Sequence, residues 1–203
     1  MVKLIEAWES SPMEVENGGK GTVYCFVVNG KDNWAFVYKT PEKDEIPTIR
    51  FQSSCISGIE LGDIECDCKQ NLINSTNYLS KLPNGGILFI LNDDGKNIGG
   101  INKLKQKKMR LQGIPMKTIL DITGTSFDER KYTFLPEALR IMGFSPKCKV
   151  ISRFPSKVKD LIRDGLEIVE AIPYEYYITS GNQDYMAMKK NDFDFQFFDP
   201  TIC

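Results

Sequence analysis

The chain has no histidine among its 203 residues. Histidine is the usual side chain for proton transfer near neutral pH, so a Ser-His-Asp or Cys-His mechanism is excluded outright. Any catalysis has to use carboxylates, lysine, tyrosine, arginine, thiolate or a metal-bound water. An excess of charge of one sign is also missing: 26 Lys and Arg stand against 27 Asp and Glu, a net charge of −1. That balance argues against a whole-protein electrostatic grip on nucleic acid or on an acidic membrane surface. Nor does any apolar run approach the roughly 20 residues that span a bilayer. The opening Met1-Val2-Lys3-Leu4-Ile5-Glu6 lacks a signal-peptide core. The expected location is therefore cytoplasmic, with neither membrane nor nucleic acid as partner. There the six cysteines are expected as reduced thiols or metal ligands rather than disulfides.

What is present is an ordinary globular composition, 41% hydrophobic and 26% charged, with one unusual stretch. Residues 53–68 read S-S-C-I-S-G-I-E-L-G-D-I-E-C-D-C, placing three cysteines in the pattern C-x10-C-x-C. Thiolates favour zinc, which takes four ligands in a tetrahedron. No fourth cysteine stands nearby, so Cys55, Cys66 and Cys68 with one water would make an open, catalytic site. The alternative is three ordinary buried thiols, since free cysteine packs like a small hydrophobe. Spacing alone leaves both open. Cys25, Cys148 and Cys203 lack clustered spacing and carry no assigned role.

Along the chain, Asn17-Gly18-Gly19-Lys20 is a turn signal. Thr22–Val28 and Trp34–Lys39 are rich in β-branched and aromatic residues, and Asn29-Gly30-Lys31 between them predicts a hairpin. A charged loop, Pro41–Pro47, leads to a further strand at Thr48–Gln52, and this first half is expected to be antiparallel and β-rich. After Cys68 the period changes. Leu72, Thr76, Leu79 and Leu82 share a helix face. Ile87–Leu91 is a continuous apolar run suited to a strand buried on both faces, and it stops in the polar, Gly-rich 92–100, where α/β proteins place ligand sites.

The run Lys103, Lys105, Lys107, Lys108 and Arg110 is either a solvated helix face or a cationic wall for phosphates. Tyr132–Met142 predicts a helix stopped by Gly143. Cys148–Ser152, Ser156–Arg163 and Leu166–Ile172 predict a β-α-β unit with parallel strands. The expected fold class is mixed α/β (α+β), with an antiparallel β-rich N-terminal part joined to a βαβ-containing C-terminal part. Residues 1–173 are expected as one domain. Residues 174–203, with Phe193, Phe195, Phe197 and Phe198, are expected as a tail packing on the body or on a partner subunit.

A set of stretches in fixed order carries a resemblance over most of the chain. They are R-F-Q-S-S-C, C-D-C, D-G-K-N-I-G, I-N-K-L, D-E-R-K-Y, S-R-F-P-S-K-V and G-L-E-I-V-E, falling between Thr48 and Pro173. In order and separation they resemble the GTP cyclohydrolase II family of riboflavin biosynthesis. That resemblance implies an enzyme that opens the imidazole ring of GTP, releases formate and pyrophosphate, and leaves a diamino-ribosylamino-pyrimidinone phosphate. It implies one zinc per chain on Cys55, Cys66 and Cys68, activating a water for attack on C8. Arg130 matches the arginine placed at the α-phosphate and proposed as nucleophile there, with a purely electrostatic role as the alternative, and Asp128 matches the proposed proton acceptor beside it. Arg50, Phe51, Gln52, Ser53 and Ser54 match the nucleotide-contacting stretch, joined by Asn71, by Asp94, Gly95 and Lys96, and by Ser152 and Lys157. Mg2+ on the triphosphate and a homodimer are further implications.

The chain also departs from the family pattern. Gln52 stands where the family usually has His, Ser54 where it has Glu, Asn71 where it has Gln, and Asp94-Gly95-Lys96 where it has Glu-Gly-Arg. Lys107 replaces a tyrosine implicated in catalysis, and Met116 a nucleotide-contacting threonine. Replacing Arg by Lys loses bidentate phosphate binding. Two alternatives follow: a divergent cyclohydrolase-like enzyme acting on another purine or pyrimidine nucleotide, or a non-catalytic nucleotide-binding zinc module.

Overall fold

The computed structural model describes residues 4–16, 19–39, 45–173 and 178–192. Part of the Asn17–Lys20 turn, most of the Pro41–Pro47 loop and the aromatic positions Phe193–Phe198 lie outside the described residues. Eight described strands and six α-helices build a mixed α/β fold. The expected hairpin is present. Strand β3 (Lys20–Val28) pairs antiparallel with β4 (Lys31–Val37). Asn29 and Gly30 between them both have positive φ, 52° and 73°, the turn whose twist matches that of the flanking strands.

Strand β1 (Leu4–Glu9), which the polar N-terminus did not announce, adds antiparallel to β3, and the two-residue β2 (Met13–Glu14) pairs with β3 off the main path. Strand β5 (Thr48–Ser53) departs from the antiparallel expectation for the first half. It pairs in parallel with both β6 (Ile87–Leu91) and β7 (Lys147–Ile151). The antiparallel part therefore comprises β1, β3 and β4, with β4 meeting β6 antiparallel. The sheet runs β1-β3-β4-β6-β5-β7-β8, closing on β8 (Glu167–Ile172), which is parallel to β7.

This order fixes where a ligand can sit. From β5 the chain crosses to β6 on one side through α1 (Cys68–Lys81), and later returns to β7 on the other side. A parallel sheet whose connections leave one strand in opposite directions opens a crevice at that strand's C-terminal end. The ends of β5, β6 and β7 lead into Ser54-Cys55, Asn92–Gly100 and Ser152–Lys157, the stretches singled out in the sequence.

One sheet face carries Phe26, Ala35, Ile49, Phe51 and Phe89, all at most 1% exposed, against Leu135, Ala138 and Leu139 of α4 (Leu135–Ile141) and Leu161 of α5 (Pro155–Arg163). Truncating a residue such as Leu139 or Leu161 to alanine there costs about 2–5 kcal/mol. The other face, with Tyr38, Leu88 and Ile151, is covered by Leu72, Leu79 and Leu82 of the α1 stretch, the helix face read from the spacing. Helix α4 begins at Leu135 rather than at Tyr132, and Gly143 beyond it has φ 84°. The lysine run lies on α2 (Gly100–Leu111), which packs on α3 (Met116–Thr123), a helix absent from the sequence reading. Beyond Pro173, α6 (Gln183–Asp192) is described and returns to the sheet's ligand end. No described helix is long and apolar enough to cross a membrane.

Candidate active site

Local structure after β5 brings the three cysteines together. The chain leaves β5 into a π-helical turn, Ile56–Glu60, whose first residues fold back so that the Gly58 N–H donates to the Cys55 sulfur at 3.3 Å. Cys66 and Cys68 return at the start of α1. The three sulfurs lie within 4.8 Å of one another, with Cys55 and Cys66 at 3.6 Å. Thiolates about 2.3 Å from a tetrahedral ion stand about 3.8 Å apart, so the trio fits zinc. A Cβ on Gly58 would overlap the Cys66 sulfur and reach 3.0 Å from that of Cys55. The turn is thus shaped around the sulfurs, and only glycine fits there.

The electrostatics agree. Hydrogen bonding from Cys66 and Cys68, reinforced by Lys103, pulls Cys55 far below the ordinary thiol range. Its bond to Cys55 pushes Cys66 up to about 11, and the same crowding raises Cys68. A divalent ion held by the three sulfurs would let all three ionise.

Around the trio the expected nucleotide residues gather in one pocket. Arg50 to Ser54 line it from β5, Asn71 from α1, Gly95 and Lys96 from the loop after β6, and Ser152 and Lys157 from the segment after β7. Arg130 closes it from the loop before α4. Asp94 is not among the residues that line it; Lys103, which is, has its ammonium 2.8 Å from the Asp94 carboxylate. Asp128 faces a neighbouring cleft shared with Lys96, Arg130 and Lys157.

Asp128 holds Arg130 in a two-pronged ion pair, with Arg130 Nε donating at 2.8 Å, while Arg130 Nη1 donates to the Ser53 hydroxyl at 3.0 Å. Burial alone would raise the Asp128 carboxyl, but the Arg130 guanidinium overrides it and holds Asp128 below the usual carboxylate range. Arg50 donates to the Ile151 carbonyl at 3.1 Å and to Gln52 at 3.0 Å. Buried Lys157 donates to the Phe51 carbonyl at 2.7 Å. Burial, then the charges of Arg130 and Arg50, push its ammonium well below the usual lysine range. Lys96 sits 2.8 Å from the centre of the Phe127 ring, and burial lowers its pKa too. Asn71 donates to Asp67 at 2.8 Å, while its buried Oδ1 meets no hydrogen-bond donor among the described residues.

A profile of the GTP cyclohydrolase II family matches residues 6–173. The chain belongs to the GTP cyclohydrolase II family. It is 29% identical over 160 residues to GTP cyclohydrolase-2 of Azospirillum brasilense, which covers 79% of this chain and 41% of that protein. It is 33% identical over 165 residues to the riboflavin biosynthesis protein RibBA of Cytophaga hutchinsonii, covering 81% and 40%. To GTP cyclohydrolase-2 of Vibrio vulnificus it is 27% identical over 160 residues, covering 78% and 79%. The chain thus spans about two fifths of the length of the first two relatives and about four fifths of the third.

Several contacts of this GTP cyclohydrolase II fold escaped the sequence reading. Lys103 lies 2.9 Å from the Cys55 sulfur. Its motif was visible, but a lysine in a lysine-rich helix carries no mark of its partner. Lys107, at the family's tyrosine position, is held by Asp63 at 2.7 Å and Glu65 at 3.6 Å, and Arg110 by Glu65 at 2.7 Å. Both acids belong to the loop between Cys55 and Cys66, so α2 is fastened by charge to the cysteine loop. From α6, Lys189 donates to Asp67 at 2.6 Å, between Cys66 and Cys68 in sequence.

Proposed function

We propose that the chain is a zinc-dependent GTP cyclohydrolase of riboflavin biosynthesis. It opens the imidazole ring of GTP, releases formate and pyrophosphate, and leaves a diamino-ribosylamino-pyrimidinone phosphate. One observation carries this reading: the three-sulfur cluster and the Asp128-held Arg130 stand at the same end of the sheet, around one pocket. Zinc bound by Cys55, Cys66 and Cys68 would supply Lewis acidity and activation of water at C8.

The chain's own residues do the rest. Asp94, oriented by Lys103, reads the guanine edge. Arg130 meets the α-phosphate with Asp128 fixing its plane. Burial opposes the Arg130 cation, but the carboxylates of Asp128 and Asp93 hold it charged. That supports a guanidinium acting by charge on the leaving pyrophosphate rather than as a neutral nucleophile. Lys96 and Lys157 supply positive charge toward the phosphates, with Mg2+ bridging them. For the homodimer, Trp8 and Trp34 flank Cys25 in register across three strands and are 71% and 45% exposed, an apolar sheet face suited to a second copy.

A second reading, another purine or pyrimidine nucleotide as substrate, has one observation behind it. Lys107 and its acidic partners line the pocket wall where the family has tyrosine, which changes the charge a heterocycle meets. A panel of purine and pyrimidine nucleotides with Mg2+, followed by ultraviolet absorbance, separates the two. Loss of absorbance with GTP alone supports the first reading, and turnover of a different nucleotide replaces it with the second. Folded Asp128→Asn protein with undiminished turnover would count against the assigned phosphate-side machinery.

A further inference from the structure

Helix α6 lies beyond the family-matched stretch, which ends at residue 173, yet Tyr185 and Lys189 line the pocket. Their spacing places both on one face of the helix. Lys189 is an anchor: its ammonium is 2.6 Å from Asp67, and both side chains are only 5% exposed. Asp67 also accepts from Asn71 at 2.8 Å, so the pair ties α6 to the start of α1. Gly181, ahead of the helix, is packed so closely on Ile64 that an added Cβ would lie 2.9 Å from the Ile64 carbonyl oxygen. The ring of Tyr185 is held by Lys189 at 4.5 Å and Arg110 at 5.5 Å. Among the described residues its hydroxyl makes no hydrogen bond. A phenol fixed by two cations, next to the cysteine loop and with its hydroxyl unspent, is a ready donor for a ligand.

We infer that α6 is a wall of the substrate site, with Tyr185 a substrate-contacting residue that hydrogen-bonds the heterocycle beside the three sulfurs, and Lys189 a positioning residue that holds the helix through Asp67. This rests on the pocket being a nucleotide site. The ligand class is a nucleotide whose base presents a ring nitrogen or carbonyl to the phenol. Specificity at this end of the pocket would then come from a segment outside the family's common core.

The test uses the 203-residue chain. GTP affinity is measured on zinc-free protein, KM and kcat on zinc-loaded protein, and hydrogen exchange over residues 183–192 on both. Tyr185→Phe is expected to hold zinc like the wild type and to bind GTP about three- to tenfold more weakly, the scale of one neutral hydrogen bond, with KM rising more than kcat falls. Tyr185→Ala should lose more. Lys189→Met should lose exchange protection over α6 and bind GTP as weakly as Tyr185→Ala, and Lys189→Arg should restore both. Wild-type GTP affinity in both tyrosine variants, or unprotected α6 amides in the wild type, overturns the proposal alone. A wild type that binds no GTP in either form overturns the nucleotide reading and this proposal with it, before any variant is compared.

Discussion

The ammonium of Lys103 lies 2.9 Å from the sulfur of Cys55. It also meets Asp94 at 2.8 Å, so one side chain joins a proposed metal ligand to the carboxylate assigned to the base. Three thiolates around a zinc ion would carry one excess negative charge, which this cation would offset. Partners of this kind are worth about 10–100-fold in metal affinity. Lys103→Met should lose zinc to a competing chelator at a correspondingly lower chelator concentration, and Lys103→Arg should recover much of the loss. Equal zinc retention in wild type and Lys103→Met would contradict this role.

Gly58 leaves no room for a side chain, because its missing Cβ would overlap the Cys66 sulfur. Gly58→Ala is expected to bind zinc substoichiometrically while the sheet core, centred on Phe51 and Phe89, keeps its thermal transition. Zinc analysis alongside calorimetry checks this. One zinc per chain in the variant would mean the turn yields more easily than its packing implies.

Asp128 has its carboxyl pKa depressed because Arg130 outweighs the effect of burial. A depressed carboxylate contributes stability that is fully present above its unfolded value of about 3.9 and is lost as pH falls through its lower folded value. Asp128→Asn should flatten that part of the acid-unfolding profile and lower kcat/KM by about 100-fold or more, on the scale of a lost catalytic contact. Denaturant titrations from pH 2 to 6 and steady-state rates at neutral pH give the two readouts. An unchanged acid limb would show that the pair contributes nothing to stability.

Lys157 is a buried amine with its pKa pushed well below the lysine range by burial and by the cations Arg130 and Arg50. Between that lowered value and about 10.4, the unfolded chain binds the additional proton, so this group makes stability rise with pH. A phosphate arriving beside it would favour the charged form. At a pH above that lowered value GTP binding should therefore take up a proton, seen as a binding enthalpy that depends on the buffer's ionisation enthalpy. Lys157→Met should reduce that dependence, leaving the share of Lys96, and weaken binding. Buffer-independent enthalpy in the wild type would contradict the assignment of Lys157 to the phosphates.

Much of the fold was legible because the signals were local. Asn29-Gly30 fixes its hairpin, the apolar run at Ile87–Leu91 marks a buried strand, and the Leu72, Leu79 and Leu82 face of the α1 stretch matches its packing. The parallel pairing of β5 was not legible, because direction is set by the crossover through α1 and the return to β7 rather than by the residues of Thr48–Ser53. Strand β1 was missed because only one neighbour, β3, pairs with it on the path, and its Trp8 is exposed. At the site, cysteine spacing and ordered motifs pointed to residues most of which line one pocket, with Asp128 in the cleft beside it and Asp94 outside the lining. Ion pairs that join distant segments, Lys107 with Asp63 and Lys189 with Asp67, leave no trace in local sequence. They depend on which helix the sheet brings back to its ligand end.

The most direct test is mass spectrometry of the products after zinc-replete protein is incubated with GTP and Mg2+, with formate assayed in the same reaction. One formate per GTP consumed, with pyrophosphate and a diamino-ribosylamino-pyrimidinone phosphate, is the expected result, and it should vanish in Cys66→Ser. Folded protein that holds one zinc per chain and leaves GTP intact would contradict the proposed activity.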